Sequence, residues 1–328
     1  MTDVARRAGV SQSTVSYVLN GTRPISAEVT ARVEAAMREL EYTPRAAARA
    51  LRGGQTRTLA LSIPATEGIT DPWLGLYLLR LTLAAARRGY DLLMCTDAGD
   101  AAGALRELAT GRRADGAILM SVTGRDQRPA VARALGFPTV ALGRPVGTDL
   151  PFVDFDFERA AELAFAEFAA LGHRQVVHVG PRQAERDAGY LYVRRIIRGV
   201  TEAAEASGVG VLDFVPTSDR DDDERRFGAL LGDNPLCGAL LLAPSFTSFE
   251  RFRSLFARLR PGSDPAQDLI IFGASGLPGA EESAAKRIVN PVDTLAAASV
   301  DCVLEILEGR APVSRLVPPQ FIGASSDL

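Results

Sequence analysis

The 328-residue sequence predicts a small all-helical domain at its N-terminus, followed by an α/β body of two doubly wound parallel-sheet subdomains. Three observations support this fold class. Hydrophobic residues form 47% of the chain and charged residues 23%, which is enough apolar material for two or three packed domains. Residues 1–44 contain short stretches of helical periodicity, each preceded by a capping residue. Short apolar runs then alternate with helical stretches along residues 57–328.

Three short helices are expected in residues 1–44. The first begins at Thr2 or Asp3, either of which could cap it, while Ser11 caps the second helix and Ser26 the third. The first two helices are joined at Gly9, where glycine can adopt a positive φ angle. A link this short predicts a helix-turn-helix.

The second helix has a polar outer face whose side chains can form hydrogen bonds with base edges in a major groove. The face is formed by Gln12, Ser13, Ser16 and Tyr17. At the start of the same helix, Ser11 and Thr14 are suited to phosphate oxygens. A small structural bundle with a polar surface would show the same pattern, so both interpretations stay open at this point.

Charge and the following segment favour nucleic-acid binding. Residues 1–56 contain eight arginines against five acids, a net charge of +3 that leaves −6 for the rest. A basic head on an acidic body suits a protein in which only the head meets a polyanion, although an ordinary solvated surface can carry the same charge. Residues 45–52 (RAAARALR) form a helix too short to be stable alone. Two packed copies over a minor groove would support it and place Leu51 as a wedge, whereas in the free protein we expect a flexible linker.

The head resembles a known family. Residues 3–20 (DVARRAGVSQSTVSYVLN) and 33–37 (VEAAM) closely resemble the headpiece of LacI/GalR, or lac repressor, family transcriptional regulators. Residues 41–44 (EYTP) and the alanine-rich segment ending at Leu51 resemble that family's entry to its hinge helix. The resemblance implies a DNA-binding regulator, most simply a repressor, that binds a near-palindromic operator as a homodimer under allosteric control by a small-molecule effector.

The resemblance also implies roles for individual residues. Those expected to read bases are Gln12, Ser13 and Tyr17. Those expected to hold the DNA backbone are Ser11, Thr14, Ser16, Asn20 and Tyr42, and Arg45 is also expected to bind DNA. Ala48 and Leu51 are expected to enter the minor groove. Relatives often have arginine at the position of Tyr17, and tyrosine cannot grip guanine O6 and N7 together, so the usual base preference at this position is in doubt.

Nine runs in the body are predicted strands, and they are residues 59–63, 90–95, 116–120, 139–141, 152–155, 175–179, 211–214, 238–242 and 269–272. Helices are predicted at 157–171 and at 291–309, the latter with Asn290 as its cap, Pro291 in its first position and Gly309 at its end. Strand–helix alternation predicts parallel sheets covered on both faces, and two such subdomains form a ligand cleft where they meet.

The body, with LGHR at 171–174 and VVHVG at 176–180, resembles the periplasmic-binding-protein fold. In that fold the chain crosses between subdomains three times, which we place near 157, 290 and 318. The expected domains are a headpiece at 1–44, a hinge helix and linker at 45–56, and a core at 57–328. Within the core, the N-subdomain is expected at about 57–157 plus 290–318, and the C-subdomain at about 158–289 plus 319–328.

The predicted cleft differs from those of sugar-binding relatives. An aspartate expected after the strand at 269–272 is replaced by the run GASG, an Asn-Asp pair after the strand at 238–242 is replaced by PSF, and an arginine is replaced by Ile196. Unpaired sugar hydroxyls in a desolvated cleft cost about 1–3 kcal/mol each, so we do not expect a plain monosaccharide effector. The candidate pocket residues are Trp73, Tyr192, Arg195, Ser245, Phe246 and Ser275. Trp73 could stack on a ligand ring or belong to the core.

Other functions are less well supported. A solute-binding protein of the transport type would explain the body but not residues 1–56, and an α/β enzyme is disfavoured because the sequence shows no catalytic constellation.

His178 alternates within an apolar strand, which favours a core histidine. The acidic run at 219–224 could bind a cation, but a solvated loop or helix N-terminus is preferred because no glycine-punctuated calcium pattern accompanies it. We expect no enzyme activity, no cofactor and no metal. Absence of a long apolar run and of a signal peptide predicts a cytoplasmic protein without membrane segments.

Overall fold

The computed structural model describes residues 1–20, 23–40, 42, 55–64, 72–97, 99–217, 219–237, 239–242, 246–274 and 285–323. The N-terminal head contains α1 (Thr2–Ala8), α2 (Gln12–Asn20) and α3 (Ala27–Glu39). Its buried residues form a cluster of their own, made up of Val4, Ala5, Ala8, Val15, Val33 and Ala36. The predicted turn is confirmed, because Gly9 ends α1 with a φ angle of 65°.

The caps of the head helices are partly as predicted. The Ser11 hydroxyl accepts a hydrogen bond from the Thr14 amide (3.0 Å), and the Ser26 hydroxyl accepts one from the Val29 amide (3.4 Å). The prediction that Thr2 or Asp3 caps α1 was wrong. The helix already includes both residues, and its N-cap is Met1, which makes no side-chain cap hydrogen bond.

The described strands of the body form two six-stranded sheets. In chain order the strands are β1 (Thr58–Pro64), β2 (Asp91–Asp97), β3 (Gly116–Leu119), β4 (Thr139–Leu142), β5 (Phe152–Phe155), β6 (Gln175–Val179), β7 (Gly210–Phe214), β8 (Ala239–Leu242), β9 (Leu269–Ala274), β10 (Lys286–Asn290), β11 (Arg315–Val317) and β12 (Gln320–Ile322). The first sheet has the order β11-β5-β4-β3-β1-β2 and is parallel throughout. The second has the order β12-β10-β9-β8-β6-β7, in which only β12 runs antiparallel to its neighbour.

Helices cover both sheets. In chain order they are α4 (Pro72–Ala86), α5 (Ala101–Thr110), α6 (Arg128–Leu135), α7 (Phe157–Ala170), α8 (Gln183–Asp187), α9 (Leu191–Ser207), α10 (Arg220–Asp233), α11 (Phe246–Leu259), α12 (Pro265–Asp268) and α13 (Val292–Leu307). None of the helices in the described ranges is both long enough and apolar enough to cross a membrane.

Each sheet reverses its strand order at an equivalent point. The chain starts a sheet at β1 or β6, adds the next strand on one side, and then returns to the other side for β3 or β8. The carboxyl ends of parallel strands leave a crevice where the order reverses, which is the usual place for a ligand in such sheets. Central strands such as β3 are buried on both faces, which explains their continuous apolar sequence.

All nine predicted strands are present, with ends that differ by up to two residues. Three further strands were missed. β10 begins with two basic residues, and the ammonium group of Lys286 pairs with the Glu167 carboxylate (2.9 Å). β11 and β12 contain three residues each and lie at sheet edges. Strands were predicted from apolar runs in the sequence. The basic residues of β10 and the short length of β11 and β12 do not produce such a run.

The predicted start of the helix at 291–309 was wrong in detail. Asn290 is the last residue of β10 and does not cap α13, because its side-chain amide donates to the Tyr77 hydroxyl (3.1 Å). Pro291 is the N-cap and Val292 the first helical residue. The Asn290 side chain, which the sequence pattern assigned to the cap of the helix, is therefore bonded to a tyrosine at the end of β10.

The structure also describes the surroundings of His178, of the acidic run at 219–224 and of the three cysteines. His178 is buried, with its Nδ1 atom 2.9 Å from the Asp213 carboxylate. The acidic run forms the N-terminus of α10, as the preferred alternative predicted, and Asp219 caps the helix. It is not wholly solvated, because Asp223 is buried and pairs with Arg251 (2.6 Å). Cys237 and Cys302 are buried, whereas Cys95 is half-buried.

Candidate nucleic-acid interface and candidate ligand cleft

The N-terminal turn of α2 presents a group of exposed hydroxyls. The Ser11 hydroxyl lies 2.7 Å from the Ser13 hydroxyl and 2.8 Å from that of Thr14, while its oxygen also accepts the Thr14 amide hydrogen. Gln12 is exposed, and its side-chain amide donates to the Thr2 hydroxyl on α1 (2.8 Å). Four polar side chains are therefore held together at the start of one helix.

The rest of the predicted DNA surface is only partly described. Ser16 and Tyr17 are half-buried on α2, and the Arg23 guanidinium lies 6.0 Å from the centre of the Tyr17 ring. Tyr42 packs against the head cluster, and its amide donates to the Met37 carbonyl (2.9 Å). The remaining predictions, the side chain of Asn20 and residues Arg45, Ala48 and Leu51, lie outside the described residues.

An ion pair that the sequence did not suggest joins the ends of the head. The guanidinium of Arg7 on α1 lies 2.6 Å from the carboxylate of Glu39 at the end of α3. The two residues are 32 positions apart, so no helical spacing connects them. Both are exposed, and the pair therefore contributes at most about 1 kcal/mol to stability.

A cavity of about 500 Å³ lies between the two sheets. On the first-sheet side, the carboxyl ends of β1, β3, β4 and β5 line it, represented by Ile63, Met120, Leu142 and Phe155. On the other side, α9 contributes Leu191, Tyr192 and Ile196, and the end of β10 contributes Asn290. The cavity is therefore at the crevice that the strand order creates.

Backbone and side-chain bonds cross this cleft. The Leu191 amide on α9 donates to the Val122 carbonyl after β3 (3.0 Å), and Thr123 and Tyr190 form an antiparallel bridge. The guanidinium of Arg195 on α9 donates to the carboxylate of Asp154 on β5. The two sides of the cleft are thus connected directly in this conformation.

Arg195 also donates to Glu158 at the start of α7, and Glu158 accepts a further bond from Arg198. Burial raises the pKa of Asp154 to about 6, although the Arg195 charge opposes that rise. Burial also disfavours ionised Glu158, but hydrogen bonds from Arg195 and Arg198 outweigh it and lower the pKa of Glu158 to about 2. The Arg195 guanidinium therefore pairs with two carboxylates whose pKa values are shifted in opposite directions.

The predicted pocket residues have different outcomes. Tyr192 lines the cavity, and its hydroxyl donates to the Glu185 carboxylate (3.0 Å). Arg195, also predicted for the pocket, does not line the cavity, because its side chain is buried against Asp154 and Glu158. Two more candidates, Trp73 and Phe246, lie on α4 and α11, but their side chains are outside the described part of the structure, as are Ser245 and Ser275.

Sequence reasoning missed a buried arginine behind the cavity. Arg128 at the start of α6 donates to the Ser62 carbonyl (2.6 Å), the Met120 carbonyl (2.9 Å) and the Asp126 carboxylate (2.7 Å). It therefore joins the carboxyl ends of β1 and β3, where the strand order reverses. The chain contains many arginines, and no spacing distinguishes this one.

Comparison with known proteins finds a family model for the head and another for the body. Residues 1–45 match the family model described as "Bacterial regulatory proteins, lacI family", and residues 61–231 match "Periplasmic binding proteins and sugar binding domain of LacI family". The ribose operon repressor of Escherichia coli (strain K12) is 36% identical over 186 residues, 55% of this chain and 56% of the repressor. The HTH-type transcriptional regulator CelR of Thermobifida fusca is 31% identical over 198 residues, 57% of this chain and 58% of CelR. The chain thus spans little more than half the length of these curated relatives.

Solved structures show the same fold. The lac repressor dimer bound to operator and the anti-inducer ONPF superimposes with a TM-score of 0.78 at 22% identity, covering 99% of this chain and 97% of that chain. A complex of the transcriptional regulator CelR with cellobiose gives a TM-score of 0.65 at 22% identity, covering 99% and 98%. The second family model alone covers more than half of the sequence, and the matched relatives are regulators, not enzymes. This chain belongs to the LacI family of bacterial regulatory proteins, with a helix-turn-helix headpiece and a periplasmic-binding-protein-like core.

Proposed function

We propose that this protein is a sequence-specific transcriptional repressor that binds a near-palindromic operator as a homodimer. The observation that carries the proposal is the start of α2, where Ser11, Gln12 and Ser13 are exposed together on a head with its own core. Hydroxyl and amide groups on a recognition helix can contact phosphates and base edges, and the basic head adds a salt-dependent attraction to DNA.

The homodimer is supported by an exposed apolar stripe on α4. Leu79 is 54% exposed and Leu83 is 39% exposed, and both lie on the same helix face as the exposed Gly75 and Ala86. A second copy of the chain would remove this stripe from water, which is favourable at about 25 cal/mol per Å² of apolar surface. Two copies would also present two heads to half-sites about one helical turn apart, near 34–36 Å.

Control by a small ligand follows from the cleft. We assign the headpiece to 1–44, the hinge and linker to 45–56, and the core to 57–328, with the subdomains divided near 157, 290 and 318. The strands before 157 and β11 lie in one sheet, and the strands between 175 and 290 together with β12 lie in the other. A ligand that binds one arrangement of these subdomains more tightly would shift their equilibrium and change operator affinity. We further propose that the protein works in the cytoplasm, associated with the nucleoid when it is bound to DNA.

Selection from a random duplex library by the intact protein tests this function. We expect a symmetric motif, and we expect Gln12→Ala and Ser13→Ala each to weaken binding to it by about 5- to 150-fold, the range of one good base contact. Ala35→Ser, at an exposed position on α3, is the matched control and should bind like the wild type. Recovery of no preferred sequence, or equal binding by all three variants, would contradict the proposal.

A further inference from the structure

We propose that the cleft binds an aromatic amine, that is, a flat and largely apolar molecule with a cationic N–H donor group and no anionic group. This inference rests on the proposed function, since it names the ligand class for the same cleft. It is carried by three features of the described cavity wall: its apolar surface, its row of aromatic rings, and its two carboxylates together with one buried amide oxygen that has no hydrogen-bond partner among the described residues.

The wall is mostly hydrocarbon. A volume of about 500 Å³ is suitable for a drug-sized ligand. The aliphatic side chains that line it include Ile63, Leu74, Met120, Leu142, Ile196 and Leu295. Such a surface offers sugar hydroxyls few partners, and each hydroxyl left unpaired weakens binding. A ligand with a large apolar surface loses no hydrogen bonds against it.

Aromatic rings form a continuous row along one side of the cavity. Tyr190 and Tyr192 stack with ring centres 5.6 Å apart and planes 17° apart. Tyr192 also stacks on Phe157 at 6.5 Å, and Phe157 stacks on Phe272 at 6.4 Å. Tyr190, Tyr192 and Phe157 all line the cavity. A flat ring placed beside them extends the row by the same offset stacking.

The charged groups of the described wall are both acids. Asp154 and Glu185 line the cavity, and none of its described lining residues is Lys, Arg or His. Asn290 lines it too, and its side-chain oxygen is buried without a hydrogen-bond partner among the described residues. A buried acceptor without a partner is costly, so this atom favours a ligand with an N–H donor.

Three arginines beside the wall are paired with carboxylates. Arg195 pairs with Asp154 and Glu158, Arg182 with Glu185, and Arg128 with Asp126. An anionic ligand such as a sugar phosphate or a carboxylate would therefore find no cation in the described wall, whereas an ammonium group would meet the carboxylates of Asp154 and Glu185.

Three indole compounds with the same ring and different charges test the proposal. Tryptamine, tryptophol and indole-3-acetate are titrated into the intact protein without DNA and followed by thermal shift, with D-ribose and D-glucose alongside. We expect tryptamine at 5 mM to raise the melting temperature by about 2 °C or more, tryptophol to raise it less, and the carboxylate and the sugars to leave it unchanged. A larger shift with indole-3-acetate or either sugar, or no shift with any indole, would overturn the proposal.

Two substitutions connect the preference to the wall. Glu185→Gln keeps the shape of the side chain and should reduce the preference for tryptamine over tryptophol at least threefold, whereas Glu205→Gln, exposed near the end of α9, should not change it. Ile196→Arg should reverse the order in favour of indole-3-acetate, with Ile196→Met as its control. An unchanged order in both Glu185→Gln and Ile196→Arg would overturn the proposal. Operator selection is independent of these titrations, so a failure of the ligand class and a failure of DNA binding are distinguishable.

Discussion

Replacing Arg195 with methionine should destabilise the protein in a way that depends on pH. Methionine keeps most of the apolar stem but removes the guanidinium that joins Asp154 to Glu158 across the cleft. The Asp154 side chain is only 7% exposed. It would retain a hydrogen bond from the Phe155 amide (2.9 Å) but lose its charged partner.

Removing one partner of a buried ion pair costs about 3–5 kcal/mol, and we expect this loss at pH 8. In the wild type, burial already raises the pKa of Asp154 from 3.8 to about 6. The folded protein therefore binds more protons than the unfolded chain between these values, and about 3 kcal/mol of stability is lost as pH rises through them. Without Arg195 the pKa of Asp154 rises further, so protonation relieves more of the penalty as pH falls from 8 to 5.

Urea unfolding followed by far-UV circular dichroism at pH 5, 6, 7 and 8 measures this difference. Arg198→Met is the matched control, because Arg198 contacts Glu158 and is 55% exposed, so its loss should cost less than about 1 kcal/mol at every pH. Asp154→Asn combined with Arg195→Met should recover most of the stability at pH 8. An Arg195→Met protein as stable as the wild type at pH 8, or one whose deficit grows as pH falls from 8 to 5, would refute the reasoning.

Four further substitutions probe packing and assembly. Gly116→Ala places a Cβ atom 2.8 Å from a backbone carbonyl oxygen and should lower the free energy of unfolding by about 2 kcal/mol, whereas Gly228→Ala, with open space on α10, should raise it by about 0.5–1 kcal/mol; urea unfolding distinguishes them. Val15→Ala removes buried methyl groups from the head and should weaken operator binding while leaving the core's melting transition unchanged, as calorimetry would show. Leu79→Glu should convert the proposed dimer to a monomer in sedimentation, and a dimer that survives it would exclude the α4 stripe as the interface.

Much of the fold could be predicted because the central strands are buried on both faces. β3 is apolar along its whole length and β1 is apolar except at Thr58 and Ser62, so their sequences are distinct from the amphipathic helices between them. The short edge strands β11 and β12 could not be predicted, since pairing with a neighbouring strand defines them and their own residues do not. The turn at Gly9 was predictable because glycine tolerates the positive φ angle that a tight helical link requires.

The cleft was less predictable than the head. Tyr192 lines the cavity, whereas Arg195 is bound to Asp154 and Glu158, which lie 41 and 37 residues away and are brought to it only by the fold. Arg128 was missed for the same reason, since it binds carbonyl groups that every residue has. Contacts made by local spacing can be deduced from a sequence, whereas contacts made across a sheet edge depend on topology.

The central claim is that two heads act together on one symmetric duplex. The most direct measurement compares the intact protein on the selected duplex and on the same duplex with one half-site scrambled, using fluorescence anisotropy for affinity and sedimentation for stoichiometry. We predict two chains per duplex and a loss of about 100-fold or more in affinity when one half-site is scrambled. One chain per duplex, with equal affinity for both, would contradict the account.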